Sequence, residues 1–150
     1  LKKDFPNVSL CMVGPDKENL INSCKELANK LNVAVIFTGK LSKEDWVTLS
    51  KNFNVFINTT HFDNTPISVI EAMALGLPVV STNVGGIPFL LKDNENAFLV
   101  NDNDSKAMVE AIKKIFSSKT NMHNWISNAR RLIEDFDWNN VKKQWFEILK

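Results

Sequence analysis

Five short runs rich in strand formers, at residues 8–13, 33–37, 53–58, 78–81 and 98–100, alternate with stretches whose apolar residues recur at helical spacing. The apolar period thus changes back and forth between a continuous run and 3.6, which is how βαβ units read. Strands that alternate with helices form a parallel sheet covered on both faces. The expected fold class is α/β, with a Rossmann-like, doubly wound parallel sheet. Such sheets bind ligands at the carboxyl ends of their strands. That rule singles out the loops that follow the runs, namely Gly14-Pro15, Gly39-Lys40, residues 59–65 and residues 83–86, which should gather on one edge.

The helical stretches can be placed from their periods and end signals. Residues 1–5 read as the tail of a helix closed by Pro6 and Asn7. Over residues 16–31, Leu20, Ile21, Cys24, Leu27, Ala28 and Leu31 share one face. Ser42, followed three residues later by Asp45, opens a helix through Trp46, Val47 and Leu49, with Glu44 and Asp45 at its positive end. A short turn or helix is expected over 87–91 and a longer helix over 104–116. C-terminal helices fill about 122–149, as one over 122–134 and a last one over 138–149 capped by Asp137. The tryptophans at 46, 125, 138 and 145 fall at helical positions, where core packing is the usual explanation.

Size and composition narrow the function classes. A chain of 150 residues, 44% hydrophobic and 23% charged, fits one globular domain able to bury a core. A formal net charge of +1 gives no reason to expect a nucleic-acid partner. Cys11 and Cys24 are too few for a disulfide framework and lack metal-ligand spacing, so they read as the reduced thiols of a cytoplasmic protein. No apolar run approaches the length of a spanning helix, and no signal-peptide pattern opens the chain. Because the chain begins at Leu1 rather than Met, it is expected to be a piece of something longer.

The densest grouping of unusual features runs from Asp63 to Gly86. Thr65 can cap a helix whose first residue is Pro66, where a missing N–H costs nothing. That helix continues through Ile67, Val69, Ile70, Ala72, Met73, Ala74 and Leu75 to Gly76. It is apolar on nearly every face and should be buried, with Glu71 its single charge. A buried carboxylate needs ligand hydroxyls or the N–H groups of a neighbouring loop, and either would satisfy Glu71. Asp63 is a turn former or a site residue. The N–H groups around Thr65, Ile67 and Ser68 favour an anion. Gly85-Gly86 lets the backbone approach a ligand closely or makes a plain turn. His61 reads first as a loop histidine and second as a catalyst.

At these residues the chain resembles a known family: the retaining, nucleotide-sugar-dependent glycosyltransferases of the GT-B fold, often called group 1 or family 4. Their motif is an acid, seven residues and a glutamate, then Ala-Met-Ala, Gly-x-Pro-Val-Val and a Gly-Gly pair. Here it stands as Asp63, seven residues, Glu71, Ala72-Met73-Ala74, Gly76, Pro78-Val79-Val80 and Gly85-Gly86-Ile87-Pro88. Phe5-Pro6-Asn7 with the run to Gly14, residues 35–39, residues 54–60 and Phe136-Asp137-Trp138 follow in the family's order.

The resemblance implies that residues 1–150 are a single C-terminal, nucleotide-sugar-binding domain, half of a GT-B fold whose N-terminal acceptor domain lies outside the chain. In the family that half starts with a strand and a basic loop, Gly-Arg and later Lys-Gly. These would precede Leu1, so the sheet is expected to lack its first, central strand. The implied activity is transfer of a sugar, of hexosyltransferase type, from a UDP- or GDP-linked donor to a glycan or lipid acceptor, as in polysaccharide biosynthesis. The chain alone should be inactive. Asp63 and Glu71 would be catalytic, Asp63 meeting sugar hydroxyls and Glu71 the ribose hydroxyls. Gly14, Gly39, Lys40, Leu41, Asn64, Thr65, Pro66, Ile67 and Glu71 would bind the donor. Gly39-Lys40-Leu41 would lie near the base, and the N–H groups from Thr65 to Ile67 near the phosphates. No metal or other cofactor is implied. The expected location is cytoplasmic, at the inner face of the membrane where the missing domain associates peripherally.

Two positions depart from the family pattern: Asp63 replaces the usual glutamate, and Phe89 stands where an acid is common. They keep alternative readings in view. A noncatalytic GT-B-like module with an assembly or regulatory role would retain the fold. A nicotinamide-dependent oxidoreductase would need Gly-x-Gly-x-x-Gly after the first strand, which Gly14-Pro15-Asp16 does not provide.

Overall fold

A computed structural model describes residues 1–150, apart from the side chains of residues 119 and 120. In chain order the elements are β1 (Ser9–Val13), α1 (Ile21–Lys30), β2 (Ala34–Gly39), α2 (Lys43–Ser50), β3 (Phe56–Asn58) and α3 (Ile67–Ala74). They continue with β4 (Val79–Thr82), α4 (Ile87–Leu90), β5 (Phe98–Val100), α5 (Ser105–Ser117), α6 (Lys119–Glu134) and α7 (Trp138–Ile148). All strand pairing is parallel, in two ladders ordered β1-β2 and β3-β4-β5. The chain divides into two units, Leu1–Leu49 and Ser50–Lys150.

In the first unit β1 and β2 run in register from Ser9 opposite Ala34 to Met12 opposite Phe37. The register then shifts so that Val13 faces Gly39. α1 packs on β2. These strands were expected to be buried, but Met12, Val13 and Ile36 are exposed and their neighbours are half-buried. α1 begins at Ile21 rather than near residue 16. Asn19 adopts φ 58°, outside helical space, and the Asp16 carboxylate accepts the Leu20 and Ile21 N–H groups at 2.8 and 3.3 Å. Residues 1–5 form one turn, with the Asp4 and Phe5 N–H groups both on the Leu1 carbonyl at 3.0 Å. The predicted cap at Ser42 is present: Asp45 N–H donates to Ser42 Oγ at 3.1 Å, and Ser42 Oγ donates to Asp45 Oδ2 at 2.8 Å.

The hydrophobic core lies in the second unit. All four residues of β4 are buried. Successive side chains of a strand face opposite sides, so both faces of this central strand are covered. α3 packs on β3 and β4, and α5 packs on β4 and β5. Val69, Met73, Val79, Val80, Ile87, Leu91 and Ile115 fill the space between them. β3 starts at Phe56 rather than 53, because the Phe53 N–H is spent on the Ser50 carbonyl in the turn that closes α2. Asp104 caps α5 by accepting the Ala107 N–H, and Asp137 caps α7 by accepting the Asn139 N–H, each at 2.8 Å.

α3 ends in a Schellman turn. Leu77 N–H bonds to the Ala72 carbonyl and Gly76 N–H to the Met73 carbonyl, both at 3.0 Å, with Gly76 at φ 78°. Arg130 of α6 donates to the Ala74 carbonyl at 2.9 Å, placing a cation at the negative end of α3. The tryptophans part company here. Trp125 is buried, stands edge-on to Phe98 at a centroid distance of 4.7 Å, and donates Nε1–H to the Asn94 carbonyl. Trp46 is half-buried, whereas Trp138 and Trp145 are exposed together with Phe146, so the core expectation fails for α7.

Candidate functional site

The loops after β3, β4 and β5 all leave the carboxyl ends of a parallel ladder, and the structure ties them to one another. At the strand ends, Asn58 lies opposite Ser81 in the register, and its Nδ2 donates to Ser81 Oγ at 3.0 Å. One residue further, buried Thr82 donates its hydroxyl to the Thr60 carbonyl at 2.6 Å. Asn83 N–H bonds to the Val100 carbonyl at 2.7 Å, which fixes the exit of β4 against that of β5. These bonds seat the segment 59–65 on the edge of the ladder.

Gly85 and Gly86 then press on its far end. Gly86 N–H donates to the Asp63 carbonyl at 2.8 Å. A Cβ on Gly86 would stand 2.1 Å from the Asn64 carbonyl oxygen, and one on Gly85 would stand 2.3 Å from that of Asp63. Gly85 also has φ 55°, where glycine is at ease. The close approach that this pair makes is to the Asp63-Asn64 backbone of the chain itself. The contact is made of main-chain atoms, so no side-chain pattern announces it.

The helix that follows starts one residue later than expected. Thr65 is not the cap. The Asp63 side chain takes that part, accepting the Thr65 N–H on Oδ1 at 3.0 Å in an Asx-turn, and Pro66 sits at the N-cap position with ψ 108°. With Thr65 N–H engaged and Pro66 lacking one, the first N–H groups that α3 presents are those of Ile67 and Ser68, which make no hydrogen bond among the described residues. Oδ2 of Asp63 likewise makes no hydrogen bond among the described residues.

α3 is also less buried than its composition implied. Val69, Ala72 and Met73 form the inner face, while Ile67 is 68% exposed. Glu71 stands one turn beyond Ile67 on the same side and is half-buried, which removes the need to satisfy a fully buried carboxylate. A feature that the sequence did not signal is His61. Its Nδ1 lies 2.7 Å from Oδ1 of Asp102, in the loop after β5. The only hint was an acid- and asparagine-rich segment, 101–104, directly after a strand.

Of the remaining residues singled out by resemblance, Gly14, Gly39, Lys40 and Leu41 belong to the first unit. Gly14 N–H donates to the Gly39 carbonyl at 2.9 Å, so the two strand ends meet there. Both glycines have positive φ, 141° and 69°, and open space where a Cβ would stand. Lys40 is exposed and Leu41 half-buried. Burial raises the pKa of Cys11 above the usual thiol value. No group of three or more His, Cys, Asp and Glu able to hold a metal occurs among the described residues. No helix among them is long and apolar enough to cross a membrane.

Two hollows, of about 410 and 320 Å³, lie along α6, and neither is lined by Asp63 or Glu71. The larger is framed by Asn94, Lys114, Trp125 and Asn128, whose polar groups bond to one another or to the adjoining loop. The chemistry points to the strand edge and not to these hollows.

The model of the family of glycosyl transferases group 1 matches residues 1–132. The chain belongs to the glycosyl transferases group 1. Relatives of this group member include the capsular polysaccharide biosynthesis glycosyltransferase CapM of Staphylococcus aureus, 32% identical over 130 residues that make up 86% of this chain and 34% of CapM. One component of the human phosphatidylinositol N-acetylglucosaminyltransferase is 27% identical over 96% of this chain and 30% of its own length.

Among solved structures, Anabaena HepE in complex with UDP-glucose superposes with a TM-score of 0.87 at 22% identity, covering 96% of this chain and 41% of HepE. Sucrose-phosphate synthase of Thermosynechococcus elongatus gives 0.85 at 25% identity over 97% and 39%. The architecture is that of the C-terminal domain of GT-B glycosyltransferases. This chain spans between about a third and two fifths of the length of the first curated relatives it matches.

Proposed function

We propose that this domain binds the nucleotide diphosphate sugar for a retaining glycosyltransferase, and that the complete protein moves a hexose from that donor to a glycan or lipid acceptor. The observation that carries the assignment is the closure of the Gly85-Gly86 loop on the Asp63-Asn64 backbone. It holds the Asp63 segment, which leads directly into the N-terminus of α3, against the loop after β4, and Glu71 lies in that same helix. UDP and UDP-glucose in HepE support a nucleotide-sugar donor. The names of CapM and of the phosphatidylinositol enzyme support a glycan or a lipid as acceptor.

In this reading Glu71 accepts the ribose hydroxyls. Oδ2 of Asp63 accepts sugar hydroxyls, while Oδ1 stays committed to Thr65 and fixes the carboxylate plane. The N–H groups of Ile67 and Ser68, at the positive end of α3, meet the diphosphate and favour the negative charge that grows as the glycosidic C–O bond breaks. For Gly14, Gly39, Lys40 and Leu41 of the first unit, the family resemblance alone supports a donor-binding role, with Gly39-Lys40-Leu41 near the base. Residues 1–150 are the C-terminal, donor-binding domain; an acceptor-binding half completes the enzyme, which works at the cytoplasmic face of the membrane.

Calorimetric titration of the complete protein with UDP and GDP tests this reading. Glu71→Ala should weaken nucleotide binding by about ten- to a hundredfold, the range for hydrogen bonds to a charged group. Unchanged affinity would remove Glu71 from the site.

A further inference from the structure

We infer that His61 and Asp102 form a positioning pair that holds the loop bearing Asp63 in the shape that receives the sugar, an assignment that rests on the donor-binding reading above. His61 lies two residues before Asp63, and Asp102 lies in the loop after β5, 41 residues away in the chain. Their separation of 2.7 Å is that of a short, charge-assisted hydrogen bond. Because a carboxylate only accepts, the ring must carry its proton on Nδ1 whether it is neutral or charged. Nε2 makes no hydrogen bond among the described residues, and the side chain is 72% exposed.

Asp102 is itself held. Oδ1 also accepts the Asn103 N–H at 2.9 Å, Oδ2 accepts Asn103 Nδ2 at 3.1 Å, and Asn103 takes a left-handed turn with φ 59°. The anchor is therefore a carboxylate fixed by its own turn rather than a free surface acid. The segment it grips is fixed elsewhere through main-chain carbonyls alone, Thr60 by Thr82 and Asp63 by Gly86. Between those two points stand His61 and Phe62, and Phe62 is exposed, so packing does not hold it. A further internal bond, from Thr60 Oγ1 to the Phe62 carbonyl at 3.0 Å, closes the turn on itself without linking it to the ladder. The imidazole clip is what ties this bridge laterally to the β5 side. Loss of the clip frees the 61–62 peptide to rotate and, through it, lets the Asp63–Thr65 turn that orients the carboxylate shift as a unit.

The test compares the complete wild-type protein with His61→Ala, Asp102→Ala, the double variant and Asp102→Asn, whose amide oxygen still accepts the Nδ1 proton. Donor kinetics use UDP-glucose with GDP-mannose in parallel, and amide exchange is followed over residues 60–66. Exposed ion pairs are weak, so each alanine variant should raise the donor KM by about two- to fivefold with kcat nearly unchanged. The double variant should match the single ones, and Asp102→Asn should recover most of the loss. Exchange over 60–66 should accelerate while α5 and α6 and the melting temperature stay as they are.

Additive effects of the two alanines, or unchanged exchange, would overturn the pairing. Faster exchange with an unmoved donor KM, while Glu71→Ala still loses nucleotide affinity, would overturn the positioning role and leave donor binding standing. Loss of the Glu71→Ala effect as well would overturn both.

Discussion

The amide of Gly86 donates to the carbonyl of Asp63 at 2.8 Å, and no room remains for a side chain on either glycine of the Gly85-Gly86 pair. Gly86 itself has φ −86°, which any residue adopts, so its requirement is for space and not for backbone freedom. A methyl group there must push the Asn64 backbone aside. Gly86→Ala should therefore cost at least about 2 kcal/mol of stability, the middle of the overpacking range, and should weaken nucleotide binding as Asp63 moves. Gly39→Ala, with open space and φ 69° in the left-handed region, should cost only about 1 kcal/mol from the backbone. Equal losses in urea unfolding of the two variants would contradict this account.

The hydroxyl of Thr82 is a second device for seating the same loop. Thr82→Val keeps the shape of a residue that is 4% exposed but strips the donor from the Thr60 carbonyl. The expected loss is about 1–2 kcal/mol, the cost of leaving a partly buried acceptor without its partner. Amide exchange should accelerate over 60–66 before it does in β4 itself. Thermal unfolding and exchange on one preparation measure both effects.

Tryptophans at equivalent helical spacing should behave very differently. Trp125→Ala removes an edge-on partner of Phe98 and the bond to Asn94, so about 3–5 kcal/mol should be lost. Trp145→Ala, on the exposed side of α7, should change the stability of this chain by less than about 1 kcal/mol. Denaturant midpoints of the two variants check the contrast.

Burial raises the pKa of Cys11, so the folded chain holds the thiol proton more tightly than the unfolded chain does. The sign follows from linkage: the stabilisation is complete below the unfolded thiol pKa and fades as pH rises through the higher folded value. Alkylation of Cys11 by iodoacetamide should accordingly be slower in the native chain than in urea at the same pH, and the gap should narrow at more alkaline pH. Peptide mass spectrometry of the labelled protein gives the two rates. A native rate equal to the denatured one at pH 8 would refute the effect.

The caps and the short strands were legible because their causes lie within one turn of chain. Ser42 and Asp137 each bond an amide two or three residues away, and β5 falls on the run 98–100. Even there, a local rival decided one outcome. Asp63 captured the Thr65 amide, and α3 started at Ile67 instead of Pro66.

By itself the sequence determined the α/β alternation, the parallel pairing and the family motif from Asp63 to Gly86, since propensity, period and cap chemistry are carried by neighbouring residues. The tertiary structure alone decided that β1 and β2 stand half-open, that Trp125 and not Trp138 or Trp145 enters the core, and that Gly86 sits on Asn64. It also decided that His61 meets an acid 41 residues away. Each of these depends on which distant surfaces come together. Burial and partner choice are properties of that assembly, and a periodic pattern states only which face of an element is apolar, not what will cover it.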